Sequence, residues 1–408
     1  MKVIIERKKN SGIRLLMAIN IFCTIVFSNA TSGMGIIQSI LLAISKIVIV
    51  LTVGYGLLLA INKRGFRIPE YYSYPFFFVV YVTFVYLFVN FNYSISSLIV
   101  SFLIYFIYVI NIDEMDFMSI LPDWTIIGGY GLVAFYVYSY NGIGGLLHSL
   151  QYTSVDSVLV QKNILAFSMA ITALMCTYKM LYLNKRGYFF LLILPIVLTL
   201  GSGSRRGLIT IIVAIGALYI LKNPNKKLVL NTAIAILGVL IAYQFIKRSN
   251  LTYLTTRIDS LFNLFAGNSN ASDSDQGRFN MISTGISMFA KKPIFGYGAG
   301  AFKELAGFGI YSHNNYVELL VNFGIVGFSL YYSVIISCII KLIKLIKYTD
   351  NYAKLLLVFW IMRLVSDFGN VSYYDRFTYI ILAFSMAYVT LLKNEKGGYS
   401  DEEKRFEY

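Results

Sequence analysis

Charge is scarce in this chain. Only 13% of its 408 residues are Asp, Glu, Lys or Arg, about half the share in an ordinary soluble domain. That excludes a disordered protein and a cytosolic enzyme, both of which need charge to stay solvated. Cysteine occurs three times (Cys23, Cys176 and Cys338), each time inside an apolar run. Three thiols are too few for a disulfide-stapled secreted domain, and buried, inert thiols are expected. Histidine occurs twice, and no His/Cys/carboxylate group has the spacing of a catalytic zinc site. No internal repeat and no low-complexity linker divides the chain into soluble domains.

What the chain has instead is apolar surface. Apolar residues make up 57% of it, more than a single core of this size can hide. The fold class that follows is an all-α polytopic integral membrane protein, with residues 1–408 forming one membrane domain. Basic residues outnumber acidic ones 35 to 20, a net charge of +15. In a soluble protein that excess would point to nucleic acid. In a membrane protein Lys and Arg collect in cytoplasmic loops and orient the spans, so no nucleic-acid partner is expected. The basic start, MKVIIERKKNSGIR, runs into apolar sequence without a small-residue cleavage site and reads as an uncleaved first span.

A helix needs roughly 20 apolar residues to cross the hydrocarbon, and that window picks out about twelve transmembrane helices. They lie near 13–30, 36–61, 74–91, 94–111, 124–140, 164–183, 188–202, 207–221, 228–246, 316–340, 354–370 and 377–392. If the spans alternate, Arg7-Lys8-Lys9, Lys63-Arg64-Arg67, Lys185-Arg186, Lys222 with Lys226-Lys227, Lys341-Lys344-Lys347 and Lys393-Lys396 all fall on one side. Both termini are therefore expected in the cytoplasm. The loop from Asn111 to Asp123 is acidic and adds no support. On the outer side lie a loop over 141–163 and a large external loop over 247–315, between the ninth and tenth helices. Thr255 to Phe265 and Arg278 to Ala290 are amphipathic stretches of that loop, read as helices on the membrane surface or capping the bundle.

Some charges stand where they are expensive. Arg205 and Arg206 lie in the tight outer hairpin Gly201-Ser202-Gly203-Ser204-Arg205-Arg206-Gly207. Their side chains either snorkel to lipid phosphates or hold an anion in their planar donor forks. Arg257 and Arg278 add outer guanidiniums from the long loop. Lys46 falls near the middle of the second span and is expected to face the bundle interior, as a structural contact or an anion ligand. Arg363 and Asp367, spaced i, i+4, are expected to pair on one helix face.

His148 stands in a Gly-rich outer loop with no carboxylate close in sequence and reads as a solvated loop histidine. His313 immediately precedes the tenth span, where Asn314, Tyr316 and Glu318 crowd in. An imidazole is the side chain best poised for proton transfer near neutral pH. Gly296-Tyr297-Gly298-Ala299-Gly300 lacks the strand-then-helix context of a phosphate loop and reads as a turn. Asp273-Ser274-Asp275-Gln276-Gly277 misses the register of a calcium loop.

Together the outer segments form a pattern. His313-Asn314, nine residues, then Gly324 and Gly327 is similar to the H-[NSQ]-x9-G-x-x-G signature of the O-antigen ligase and polymerase superfamily. Gln161 to Ala166 resembles the N-x-L-A segment that opens a span after an outer loop, and Gly203-Ser204-Arg205-Arg206-Gly207 resembles the S-R-[GT] element. Gly277-Arg278 followed by Pro293, Gly296, Gly298, Gly300 and Phe302 resembles the G-R…P-x-x-G-x-G-x-G-x-F stretch, although Phe279-Asn280-Met281 departs from the usual run.

The resemblance, over about 140–345, implies a GT-C-like membrane glycosyltransferase of the bacterial inner membrane. It implies an undecaprenyl-pyrophosphate-linked oligosaccharide as substrate, action at the outer face of the bilayer, and neither metal nor cofactor. In that chemistry Arg205, Arg206, Arg257 and Arg278, with Asn163, Asn314 and Tyr316, would bind the pyrophosphate and glycan. His313 would be the general base, with Glu318 orienting it or sharing the role. A polymerase that joins repeat units of O-antigen, capsule or exopolysaccharide is preferred, because the chain is compact, rich in Lys and Tyr, and has one large outer loop. The alternatives are a ligase that transfers the glycan to lipid A core or protein, and a flippase. Transporters commonly carry broken midplane helices and inverted repeats, which the sequence does not reveal. A chain-length regulator and other polysaccharide-export proteins are the expected partners.

Overall fold

The computed structural model describes residues 10–27, 35–62, 73–89, 95–112, 119–151, 162–202, 204–222, 273–346 and 350–403. Among these residues every regular element is a helix. In chain order they are α1 (Ser11–Val26), α2 (Gly35–Asn62), α3 (Ser73–Phe88), α4 (Ser96–Ile110), α5 (Ile120–Ser139), α6 (Ile143–Gln151) and α7 (Lys162–Tyr182). Then follow α8 (Tyr188–Gly201), α9 (Arg205–Lys222), α10 (Asp273–Lys291), α11 (Ala301–Leu305), α12 (Asn315–Ile346), α13 (Asn351–Asp367) and α14 (Arg376–Glu403). The expected ninth span, 228–246, Arg257 and the stretch Thr255 to Phe265 lie outside the described residues.

Among the described residues, four stretches are long and apolar enough to cross a membrane: Ser39–Asn62, Ile120–Ser139, Lys162–Tyr182 and Asn315–Ile346. Shorter apolar helices stand beside them. Some of the helices start at a side-chain cap. Asn10 accepts from Gly12 N and Ile13 N (2.9 and 3.3 Å) at α1, and Asp350 accepts from Tyr352 N and Ala353 N (2.9 and 3.0 Å) at α13.

The core is built around α7 and α13. Helix α7 packs on α5, α8, α9 and α13, while α13 also packs on α9, α12 and α14. Both are buried nearly all round, and their buried charges are paired inside the bundle, Lys179 with Asp123 and Arg363 with Asp367. All three cysteines are buried and unpaired. Helix α2 is more peripheral, and Lys46 is exposed on it rather than directed into the bundle. Its long aliphatic stem carries the ammonium without a buried partner, so the expectation of an interior lysine fails.

Helix α12 is broken. Gly324 has φ 62° and ψ −168° in its middle, a conformation that favours glycine. The segment after α10 docks into the break: Tyr297 N donates to Val321 O (2.9 Å), Gly298 N to Asn322 O (2.8 Å) and Ile325 N to Pro293 O (2.8 Å). A Cβ on Gly324 would strike Ile294 backbone, and one on Gly296 (φ 73°) would strike Asn322 backbone. The Pro293, Gly296 and Gly324 positions of the motif are thus a matched pair of backbone surfaces. The sequence did not reveal this broken helix. Its freed groups bond to a strap of protein and not to a cavity, which is how irregular backbone is tolerated at membrane depth.

The amphipathic helix expected from Arg278 starts earlier, at Asp273. It lies against the first turns of α12 through Met281, Val317, Val321 and Phe302, so it caps the bundle.

Candidate functional site

The starts of α7, α9, α12 and α14 and the ends of α1 and α13 meet at one end of the bundle. The tight connection between α8 and α9 is fixed by its serines. Ser204 N donates to Ser202 Oγ (3.1 Å), Ser204 Oγ donates to Asn163 Oδ1 (2.8 Å), and Gly207 N donates to Ser204 Oγ (3.2 Å). Gly207 lets α9 approach α7, since a Cβ there would meet Ala166.

This packing aims Arg206 across the end of the bundle. Its Nη2 donates to Asn163 O (2.9 Å) and its Nη1 to Gly369 O (2.5 Å), while its buried Nε has no hydrogen-bond partner. Both acceptors are neutral carbonyls. Among the described residues no carboxylate forms an ion pair with it, and it stands beside the positive end of α9.

A second guanidinium stands on α13. Arg363 Nε is 3.4 Å from Asp367 Oδ1, the expected i, i+4 pair, and its Nη1 is 3.7 Å from Asp375 Oδ2. Its charge also lies over the Phe167 ring at 5.1 Å. Buried Asp367 accepts from Tyr332 OH (3.0 Å) and Asn315 Nδ2 (3.3 Å). The Asn315 amide oxygen in turn accepts from Ser372 N and Tyr373 N (2.8 and 3.1 Å), tying the α13–α14 connection to the start of α12.

Between these walls lies a cavity of about 420 Å³. Arg206, Arg363, Asp375, Arg376 and Tyr311 line its polar part, and Ile25, Leu42, Phe167 and Ile171 line the rest. A polar end joined to an apolar slot fits an amphiphile with an anionic head.

His313 stands beside this cavity in a strained conformation, with φ 54°. A non-glycine residue pays for the left-handed region with roughly 1–3 kcal/mol and stays there only when its neighbours are pinned. They are. Ser312 N donates to Glu318 Oε2 (2.8 Å), Ser312 Oγ donates to Asn314 O (2.8 Å), and Asn314 N donates back to Ser312 Oγ (3.2 Å). The Asn314 side chain caps α12, accepting from Tyr316 N and Val317 N (3.0 and 3.1 Å). The imidazole packs on Tyr311, ring centroids 4.3 Å apart. Burial first, then the Arg278 and Arg206 charges, push its pKa from 6.5 down to about 4. At neutral pH it is therefore uncharged and free to accept a proton. Burial likewise raises the Tyr311 phenol, which stays protonated.

Of the residues singled out by sequence, Arg206, Arg278, His313 and Asn163 come together here, and Arg278 acts on both Arg206 and His313. Arg205 adjoins Arg206 in the chain but does not line the cavity. Glu318 was expected to orient His313 or to share its role. Instead its Oε2 holds Ser312 N and its Oε1 accepts from Asn322 Nδ2 (3.2 Å), so it acts on the histidine through the backbone. Tyr316 donates to Leu364 O (2.9 Å) and stacks on Tyr332 at 5.0 Å, a packing role. Arg257 lies outside the described residues, as does the side chain of His148. Sequence reasoning missed Tyr311, Asp375 and Arg376. Asp375-Arg376 are a charged pair between the last two spans, and no spacing rule links them to Arg206.

A cavity lined by Arg206, Arg363 and Arg376 at one end of an all-helical bundle, with His313 beside it, belongs to a membrane protein. Residues 188–332 match the family model described as O-antigen ligase, consistent with a member of the O-antigen ligase and polymerase superfamily. Proteins of that family are glycosyltransferase-like membrane enzymes, ligases and polymerases. No curated protein matches the chain. Arg206, Arg278, His313 and the broken α12 down to Tyr332 fall inside the matched stretch, whereas Asn163, Arg363 and Asp375 fall outside it.

Proposed function

We propose that this protein is a polysaccharide polymerase that joins undecaprenyl-pyrophosphate-linked oligosaccharide repeat units at the outer face of the bacterial inner membrane. In this reading twelve helices span the bilayer, both termini are cytoplasmic, and 247–315 is external. The observation that carries the reading is the convergence of Arg206, held by neutral carbonyls alone, with Arg278 and an uncharged His313 at one end of the bundle.

The acceptor hydroxyl attacks the anomeric carbon of the donor. The bond from that carbon to the phosphate oxygen breaks, and the pyrophosphate leaves with the electron pair. Negative charge grows on the leaving group, where Arg206 and Arg278 meet it with preorganised donors. The hydroxyl proton passes to His313. Bound pyrophosphate offsets the two arginine charges that add to burial in depressing the imidazole, so donor binding raises its basicity. The apolar slot beside Arg206 takes the first part of the prenyl chain.

Deleting the gene tests this. Single-repeat glycans left on the acceptor are the expected outcome. Loss of all attached glycan, with long lipid-linked chains accumulating, would instead identify a ligase. Purified protein that moves lipid-linked units without forming a glycosidic bond would identify a transporter.

A further inference from the structure

One wall of the cavity carries groups that pyrophosphate binding leaves unused. Asp375 lines it with its side chain 35% exposed. Its Oδ2 is fixed, accepting from Thr378 N (3.1 Å) and Thr378 Oγ1 (2.7 Å) at the start of α14. Its Oδ1 takes part in no hydrogen bond among the described residues. A carboxylate anchored through one oxygen and open at the other is a ready acceptor for a ligand's donor.

Arg363, beside it, is 1% exposed, and its Nη2 has no hydrogen-bond partner. A buried guanidinium with an unanswered N–H next to a cavity is a donor awaiting a ligand. Tyr374 and Phe377 supply aromatic surface on the same wall.

The charge of this wall distinguishes it from the other. Arg363 and Arg376 are matched by Asp367 and Asp375, so the wall is close to neutral, whereas the hydrogen bonds of Arg206 go to the carbonyl oxygens of Asn163 and Gly369. A neutral surface offering an open carboxylate oxygen, an open guanidinium N–H and aromatic rings suits a polyhydroxylated ring and not an anion. Hydroxyls donate to the carboxylate, hydroxyl oxygens accept from the guanidinium, and the C–H face of the ring lies on the aromatics.

We propose that this wall is the acceptor-sugar subsite, with Asp375 receiving a hydroxyl hydrogen bond from the sugar that accepts the new unit and Arg363 donating to a neighbouring hydroxyl oxygen. The proposal rests on the glycosyl-transfer reading. It places the leaving pyrophosphate on the α9–α10 side of the cavity and the incoming sugar on the α13–α14 side.

Asp375→Asn tests it, because Asn caps a helix as well as Asp does. An Asp375 that only caps α14 would therefore leave the variant unchanged. The probes are bare undecaprenyl pyrophosphate and the lipid-linked repeat unit extracted from cells lacking the gene, titrated against the full-length protein in lipid nanodiscs. Bare lipid pyrophosphate should bind as in the wild type. The repeat-unit lipid should bind about 10- to 100-fold more weakly, the loss expected for a hydrogen bond to a charged group. Asp375→Ser, also a good cap, should behave the same way if the Asn variant is poorly produced. Unchanged affinity for the repeat-unit lipid overturns the proposal, and so does an equal loss for the bare lipid, which would make Asp375 part of the anion site. A wild-type protein that binds neither probe overturns the glycosyl-transfer reading itself.

Discussion

The two ends of α9 carry cations in opposite circumstances. At its C-terminal end Lys222 donates to Leu181 O and lies 5.9 Å from the centroid of the Tyr182 ring. There the helix carbonyls favour positive charge. Nearby, buried Lys179 in the last turn of α7 is paired with Asp123, and Asp350 accepts from Tyr388 OH (2.6 Å) while capping α13. At its N-terminal end Arg206 stands against the positive pole of the same helix, with carbonyl oxygens as its hydrogen-bond partners. One end spends its charges on holding helices together. The other tolerates an unfavourable charge on two carbonyl oxygens, as the proposed anion site requires.

The sharpest break of this comparison is Arg206→Ala. Removing one preorganised donor for a developing anion costs about 100- to 1,000-fold in rate, so chain extension in a reconstituted assay should nearly vanish. Melting temperature should hold or rise, since a cation leaves the positive end of a helix. A lower melting temperature with unchanged turnover would make Arg206 a structural staple like Lys179.

Gly324→Ala should come next. The added Cβ meets Ile294 backbone at a left-handed φ, and strain of that kind costs about 1–3 kcal/mol or more. Because the strap and the His313 loop share α12, both denaturation midpoint and extension rate should fall. A variant that melts lower yet extends chains at full rate would separate the break from the site.

Acidity gives a third test. A general base works in its neutral form, so kcat/KM should stay flat from pH 7 downward and fall only as pH drops through about 4, the pKa of His313 in the free enzyme. Arg278→Gln removes one of the charges that depress it, and the acid limb should move up toward 6.5. The same shift affects stability. Between 6.5 and about 4 the unfolded imidazole binds more protons than the folded one. The histidine therefore lowers stability as pH falls across that window and adds no further slope below it.

The smallest effect on catalysis is expected from Lys179→Met at the opposite end. Breaking a buried ion pair costs about 3–5 kcal/mol and an exposed one under about 1. Asp123 is 34% exposed, so the loss should fall between those limits while the extension rate per folded molecule stays unchanged.

Much of this arrangement was legible in one dimension. Apolar runs announced the helices because a bilayer-crossing segment must be continuous, and the i, i+4 spacing of Arg363 and Asp367 is local enough to read directly. The S-R and H-N segments drew attention to Arg206 and His313. What they did not reveal was the division of labour within each motif. The distinction between Arg205 and Arg206 depends on how α9 leans on α7 through Gly207. Glu318 looked like a partner for the His313 ring because it is five residues away, but the first turn of α12 directs it to Ser312 N and Asn322. Gly296 looked like a turn residue and Gly324 like one position of a signature, although each lets the other segment's backbone approach. Lys46 misled for a related reason: hydropathy reports depth along a span and not which face of α2 meets the bundle.

Sequence by itself determined the all-helical membrane class and the residue types available for chemistry, because composition and runs of apolar side chains act through solvent and need no long-range contacts. Only the tertiary structure decided which charges are cancelled and which are left for a ligand. Asp375 and Arg363 reach the same cavity as Arg206, some 160 residues apart in the chain, and compensation depends on distances of a few ångström that chain order does not encode.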